Sequence, residues 1–228
     1  MSIKEQLRAE GKREREKLKQ MTWEDRLWYI WEYYKLHMLA LAAIFFVLYL
    51  IGNMIYNSTF TTQLSYLVIN NTSTGITNFE AFDQEFKESM GYGKKDRITS
   101  DDSIHLRHLE NGTEIEYANM AKISAMVATG DLDLMISDPV NIDHYMELEA
   151  FMDLQQLLPD DLWEQVKDSV YYAKDSQGQS IPCGIDLSLT SIPEKTGIAI
   201  EPGYISVMTG TTHADTILSW IRFVLQPQ

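Results

Sequence analysis

His105, His108 and Glu110 form the tightest group of metal-type side chains in the sequence. Two histidines three positions apart on an extended segment point their rings to opposite faces, and no fourth ligand follows at zinc spacing. His144 and His213 have no evident partners in the sequence. The acids Asp131, Asp133, Asp138 and Asp143 lack the glycine and the spacing of a calcium loop. No metal site and no cofactor is therefore expected. Cys183 is the single cysteine; paired with a distant histidine it would be a nucleophile, yet Pro182-Cys183-Gly184 reads as a turn. Nucleophile elbow, phosphate loop and dinucleotide fingerprint are all missing. No catalytic residue is assigned, and the chain reads as a non-enzyme.

The remaining candidates are polar positions that follow apolar runs. Asn70, Asn71 and Thr72 follow Gln63 to Ile69, Ser137 and Asp138 follow Leu132 to Ile136, and Asp186 stands near the end of a hairpin. At the carboxyl ends of parallel strands such residues would meet a ligand, because helix N-termini aim their N–H groups there. Each also has a local use. Asn and Thr clusters make turns and caps, and Asp138-Pro139 is a common way to leave a strand and start a helix.

The elements that must position them alternate. Gln63–Ile69 is a strand ending in the polar cluster of residues 70–75. Phe79, Phe82, Phe86 and Met90 share one helical face, closed by Gly91 and Gly93. Residues 97–106 form a weaker strand with Ile98 and Ile104 as its apolar points. A helix from Glu114 to Gly130 presents Ile115, Met120, Ile123, Met126 and Val127, and leads to the strand of residues 132–136. Strand–helix–strand–helix–strand implies a parallel sheet with helices on its faces. Further on come a short helix over residues 141–149, a helix capped by Asp160, and a hairpin about Asp175-Ser-Gln-Gly178. A strand over residues 204–208 precedes a helix over residues 212–225. No repeat or low-complexity stretch interrupts the chain.

Ahead of this domain, residues 38–51 are fourteen consecutive apolar positions, extended without a charge to Tyr56. Such a helix is roughly 28 Å long, close to the hydrocarbon thickness of a bilayer. Trp23, Trp28, Tyr29, Trp31, Tyr33 and Tyr34 crowd one end, with Tyr49, Tyr56 and Phe60 towards the other, as in an interfacial belt. Residues 1–37 hold nine Lys/Arg and seven Asp/Glu, and residues 57–228 hold ten and 26, which together give the net charge of −14. The positive side stays inside, so the N-terminus is expected in the cytoplasm and the acidic part beyond the membrane. The long n-region and missing small-residue site read as an uncleaved signal anchor. The expected divisions are 1–21, a charged cytoplasmic arm; 22–37, an aromatic juxtamembrane helix; 38–56, the span; and 57–228, the extracytoplasmic domain. Thr22 should cap the juxtamembrane helix, with Asp25 closing a variant capping box; this helix would lie partly among headgroups before turning into the span. The arm's pairs Glu10–Arg13, Glu14–Lys17 and Glu16–Lys19 suit an exposed, solvated helix. The span carries no ionisable residue for transport or proton relay.

One cysteine allows no intrachain disulfide, so packing alone holds the domain. The triplets at Asn57, Asn71 and Asn111 match a glycosylation acceptor. An external domain this acidic repels nucleic acid and favours cationic or polar ligands and basic partners.

Residues 120–139, MAKISAMVATGDLDLMISDP, resemble the second helix and third strand of extracellular solute-binding proteins of bacterial ABC importers. Phe151-Met-Asp-Leu-Gln-Gln-Leu-Leu-Pro159, the hairpin of residues 171–184 and the strand and helix of residues 204–225 fit the same family in order, covering most of residues 62–225. The departure is large. Family members carry a second lobe before the returning strand, whereas here only residues 187–203 occupy that interval. The resemblance implies a single lobe, a three-layer α/β domain with a mostly parallel sheet. It also implies a non-catalytic binding or sensing module beside a transporter; the alternative is an envelope scaffold or accessory subunit that has lost ligand binding. Expected partners are the bilayer through residues 38–56, a small polar or cationic solute, and a membrane protein.

Overall fold

The computed structural model describes residues 9, 11–13, 15, 16, 19, 21–107 and 112–225. The expected pairs Glu10–Arg13 and Glu14–Lys17, as well as His108, Glu110 and the triplet at Asn111, lie outside the described residues.

Helix α1, Trp23–Asn57, runs for 35 residues without a break, about 52 Å at 1.5 Å per residue. Thr22 caps it: its Oγ1 accepts from the backbone N–H of Asp25 and donates to Asp25 Oδ2 at 2.6 Å. The expected turn between a juxtamembrane helix and the span is not there. No proline or glycine stands between Trp23 and Ile51, so polarity changes along the helix while its backbone does not. Within it, Tyr34–Asn57 is long and apolar enough to cross a membrane, and its large apolar side chains are exposed.

From Phe60 onward the chain forms a separate compact unit. Its elements are β1 (Thr61–Ile69), α2 (Phe79–Ser89), β2 (Asp96–Ile104), α3 (Glu114–Thr129), β3 (Leu134–Ser137) and α4 (Pro139–Glu147). There follow α5 (Leu154–Leu157), α6 (Asp160–Val166), β4 (Val170–Lys174), β5 (Ser180–Asp186), α7 (Ile192–Thr196), β6 (Tyr204–Val207) and α8 (Ala214–Leu225). Six strands form one sheet in the order β2-β1-β3-β6-β5-β4. The expected parallel pairing is present from β2 through β1 to β3. Beyond β3 every pairing is antiparallel, so the sheet is mixed. Because β6 runs against both neighbours, β5 points the same way as β1, β2 and β3.

Side-chain alternation along the strands separates two cores. Leu64, Tyr66 and Val68 of β1 join Leu134, Ile136, Ile205 and Val207 under α2 and α8. Leu67 and Ile69 join Met135, Ile123, Ile142 and Met146 under α3 and α4 on the other face. Helices therefore cover both faces. The first core centres on Trp220, fully buried, with its ring 5.6 Å from Tyr66 and edge-on to Phe82 at 6.4 Å. Such aromatic pairs add about 0.5–1.5 kcal/mol each beyond the area they bury.

Three local expectations change. Pro182-Cys183-Gly184, expected as a turn, lies inside strand β5, paired with β4. Ile115 is 73% exposed instead of facing the core. The buried position in that first turn belongs to Glu116, whose carboxylate accepts the Thr113 backbone N–H at 2.8 Å and closes a capping box. Asp160 is the first residue of α6, and Pro159 takes the cap position. Gly130 ends α3 at φ 70°, a left-handed conformation that suits glycine.

Candidate functional site

The carboxyl ends of β1, β2, β3 and β5 and the amino end of β6 share one rim of the sheet. The order reverses at β1, which leads to β2 on one side and has β3 on the other, and such a switch point opens a crevice in α/β sheets. Asn70 sits in it at φ 61°, a left-handed conformation that asparagine tolerates better than most residues. Its Nδ2 donates to Leu106 O at 2.8 Å and to Asp138 Oδ2 at 2.5 Å, and its Oδ1 accepts Leu106 N–H at 2.8 Å. One amide thus ties together the exits of three strands.

Asp138 is the N-cap of α4. Its Oδ1 accepts Asn141 N–H at 3.1 Å, and its Oδ2 also accepts Asn141 Nδ2 at 2.9 Å. A bare helix N-terminus would attract an anion; here the protein's own carboxylate fills that place. Asn71 Oδ1 accepts the N–H groups of Ser73 at 3.0 Å and Ala199 at 3.1 Å. Thr72 donates its backbone N–H and its Oγ1 to Ala199 O at 2.9 and 2.8 Å. These bonds pull the segment before β6 against the end of β1.

Two clefts result. One, about 430 Å³, is lined by Asn70, Thr72, Asp138, Ala199, Ile200 and Glu201. Its neighbour, about 520 Å³, is bordered by Asp186, Glu194 and the same Ala199-Ile200-Glu201 wall. The structure brings Asn70, Thr72 and Asp138 to the first cleft and Asp186 to the second. Asn71 acts beneath them, tethered to Ala199 and 3.4 Å from Asp102, so the triplet at Asn71 does not present a free amide. Ser137 is fully buried and away from both clefts. Asp186 Oδ1 accepts Ser188 N–H at 2.8 Å. The sequence reading missed Ala199, Ile200 and Glu201; the Glu201-Pro202-Gly203 punctuation marked a loop but not where it would go. Among the described residues no lysine or arginine lines either cleft. The carboxylates of Asp138, Asp186, Glu194 and Glu201 stand among apolar side chains, Ile200 in both clefts and Leu187 and Ile198 in the second.

At the opposite rim Asp133, 1% exposed, accepts Ser65 N–H at 2.8 Å and Thr211 Oγ1 at 2.5 Å. His213 Nδ1 lies 3.0 Å from the same carboxylate, so His213 does have a partner, 80 residues away. This grouping fastens the start of α8 to β1 and β3. Cys183 is buried in the second core, and burial pushes its thiol up to about 11, where a thiolate nucleophile is not available at neutral pH. His105 is exposed, Asp143 accepts the Tyr171 hydroxyl at 3.0 Å, and among the described residues no three His, Cys, Asp or Glu side chains converge to hold a metal. Comparison of the chain with protein families, curated proteins and solved structures gives no match.

Proposed function

We propose that this chain is a single-pass membrane protein with a cytoplasmic N-terminus. Its α/β domain, in this reading, works outside the membrane as a solute-binding-like, non-catalytic module for a small cationic or polar solute, beside an ABC-type transporter. The observation that carries the reading is the shared rim: candidate residues that follow β1 and β3 or end β5 lie there around clefts that, among the described residues, no lysine or arginine lines. Strand β6, antiparallel between β3 and β5, and α8 behind it suit the returning strand and helix of a single solute-binding lobe. Tight small-ligand pockets cover most of the ligand surface, so one lobe alone would bind weakly, or share its ligand with a second protein.

Thermal-shift measurements on the full chain in detergent micelles test this, using spermidine, arginine and maltose. A salt-sensitive rise in Tm with spermidine or arginine, and none with maltose, is the expected result. A second reading, an envelope scaffold that has lost its ligand, is favoured by one observation: Asn70, Asn71 and Asp138 are already engaged with their own protein. Failure of every solute to move Tm, with membrane proteins co-purifying, would select it. Orientation is tested separately, by protease added to intact cells, which should remove the acidic domain.

A further inference from the structure

Strand β2 is an outer strand of the sheet, and among the described residues nothing pairs with its far side. A cavity of about 540 Å³ runs beside it, touching Arg97, Ile98, Thr99 and Ser100 in succession. Side chains alternate between the faces of a strand. Ser100 and Asp102 bond to the α2 side, through Asp83 at 2.8 Å and Thr77 at 2.5 Å, while Asp101 pairs with Lys122 of α3 on the other. A cavity on the α2 side that also touches Arg97 and Thr99 reaches the main chain of β2 at its open edge. Its other wall is Glu80, Asp83, Gln84 and Lys87, which at these spacings form one stripe of α2. The molecule therefore has a groove between a helix stripe and an unpaired strand.

Outer strands usually deter a newcomer with outward charges. The three acids of β2 are instead tied back. Asp96 accepts Gln63 Nε2 at 2.9 Å and Gly93 N–H at 2.7 Å, Asp101 is held by Lys122 and Ser103, and Asp102 by Thr77 and Asn71. The Thr77–Asp102 and Asp83–Ser100 bonds set α2 antiparallel to β2, so Glu80 and Asp102 stand at one end of the groove and Lys87 and Arg97 at the other. From Arg97 to Asp102 is about 16 Å of extended strand, room for four or five residues of a peptide.

We infer that the edge of β2 receives an extended peptide segment of a partner protein as a seventh strand. It would lie antiparallel to β2, with a basic residue at its leading end against Glu80 and an acidic one at its trailing end against Lys87. Main-chain hydrogen bonds hold such a strand, and the flanking side chains choose its sequence. The groove lies apart from the clefts at the strand ends, and the inference stands whether or not those bind a solute.

The test uses the full chain in micelles and fluorescein-labelled Lys-Val-Thr-Val-Glu-amide, read by fluorescence polarisation. Saturable binding below millimolar peptide is expected. Of two analogues, N-methylated at both valines or at the threonine, one should retain binding and the other lose it, because only alternate N–H groups face β2. Lys87→Glu and Glu80→Lys should each weaken the peptide roughly tenfold, and the double variant should take Glu-Val-Thr-Val-Lys-amide instead. No binding by any peptide overturns the inference, as does equal binding of both N-methylated analogues. So does a chain that pairs with its own copy through β2, dissociates on Lys87→Glu and ignores peptide.

Discussion

Asn70 Nδ2 donates to Asp138 Oδ2 at 2.5 Å, joining the exits of β1 and β3 across 68 residues of chain. Because Asn70 also holds φ 61°, its loss removes both a bond network and a tolerance for left-handed backbone. Asn70→Ala should cost roughly 4–5 kcal/mol, from about 1–2 of backbone strain and about 1 for each of the three lost hydrogen bonds. Asn70→Gly keeps the backbone freedom and should cost clearly less. Urea unfolding of the two variants checks the order, and an Ala variant as stable as the Gly variant would refute it.

Asp83 predicts a pH dependence. Its carboxylate is buried, accepting the Tyr66 hydroxyl at 2.7 Å and Ser100 Oγ at 2.8 Å. Burial raises its pKa, and the two hydrogen bonds and Lys87 only partly counter this. A carboxyl raised in the native state binds its proton more tightly there than in the unfolded chain. Its stabilising share is present below the unfolded pKa of about 3.9 and is lost as pH rises through the native one. Asp83→Asn, neutral throughout, should gain on the parent protein as pH rises across that window, after which the difference between the two stays constant. Denaturation series from pH 3.5 to 8 measure this; a difference constant over the whole series would remove the argument.

Cys183 should resist modification. With its side chain fully buried and its thiol pushed up to about 11, the thiolate fraction at neutral pH is minute. Iodoacetamide followed by mass spectrometry should label Cys183 in urea and leave it untouched in native protein. Rapid native labelling would mean that the second core opens.

What could be read from the residues divides along physical lines. β1 was legible because six consecutive residues from Leu64 are buried and announce themselves as an interior strand. The last helix was legible because Ile217, Trp220, Ile221 and Val224 recur at helical spacing. β2 was faint, because an outer strand needs few apolar points and its polar side chains are satisfied by scattered partners, Gln63, Thr77, Asp83 and Lys122. The direction of β1, β2 and β3 was legible from the alternation of strands and helices, whereas that of β6 was not, since its apolar pattern reads the same in either sense. The unbroken α1 was missed because hydropathy reports where a helix is greasy, not where it bends. Of the site, the turn-forming Asn70 and the capping Asp138 stood out by type, whereas Glu201, like the Asp133–His213 pair at the opposite rim, depends on chain meeting itself from afar.

The reversed course of β6 has a consequence for how this protein could diversify. Chain entering β6 arrives at the same rim that chain leaving β1, β3 and β5 departs from, so residues 187–203 are delivered to the mouth of the clefts. Extra length spliced into that stretch would lodge over the opening and leave the ladder of strands as it stands. Room for added chain thus lies at the rim and not within the ladder.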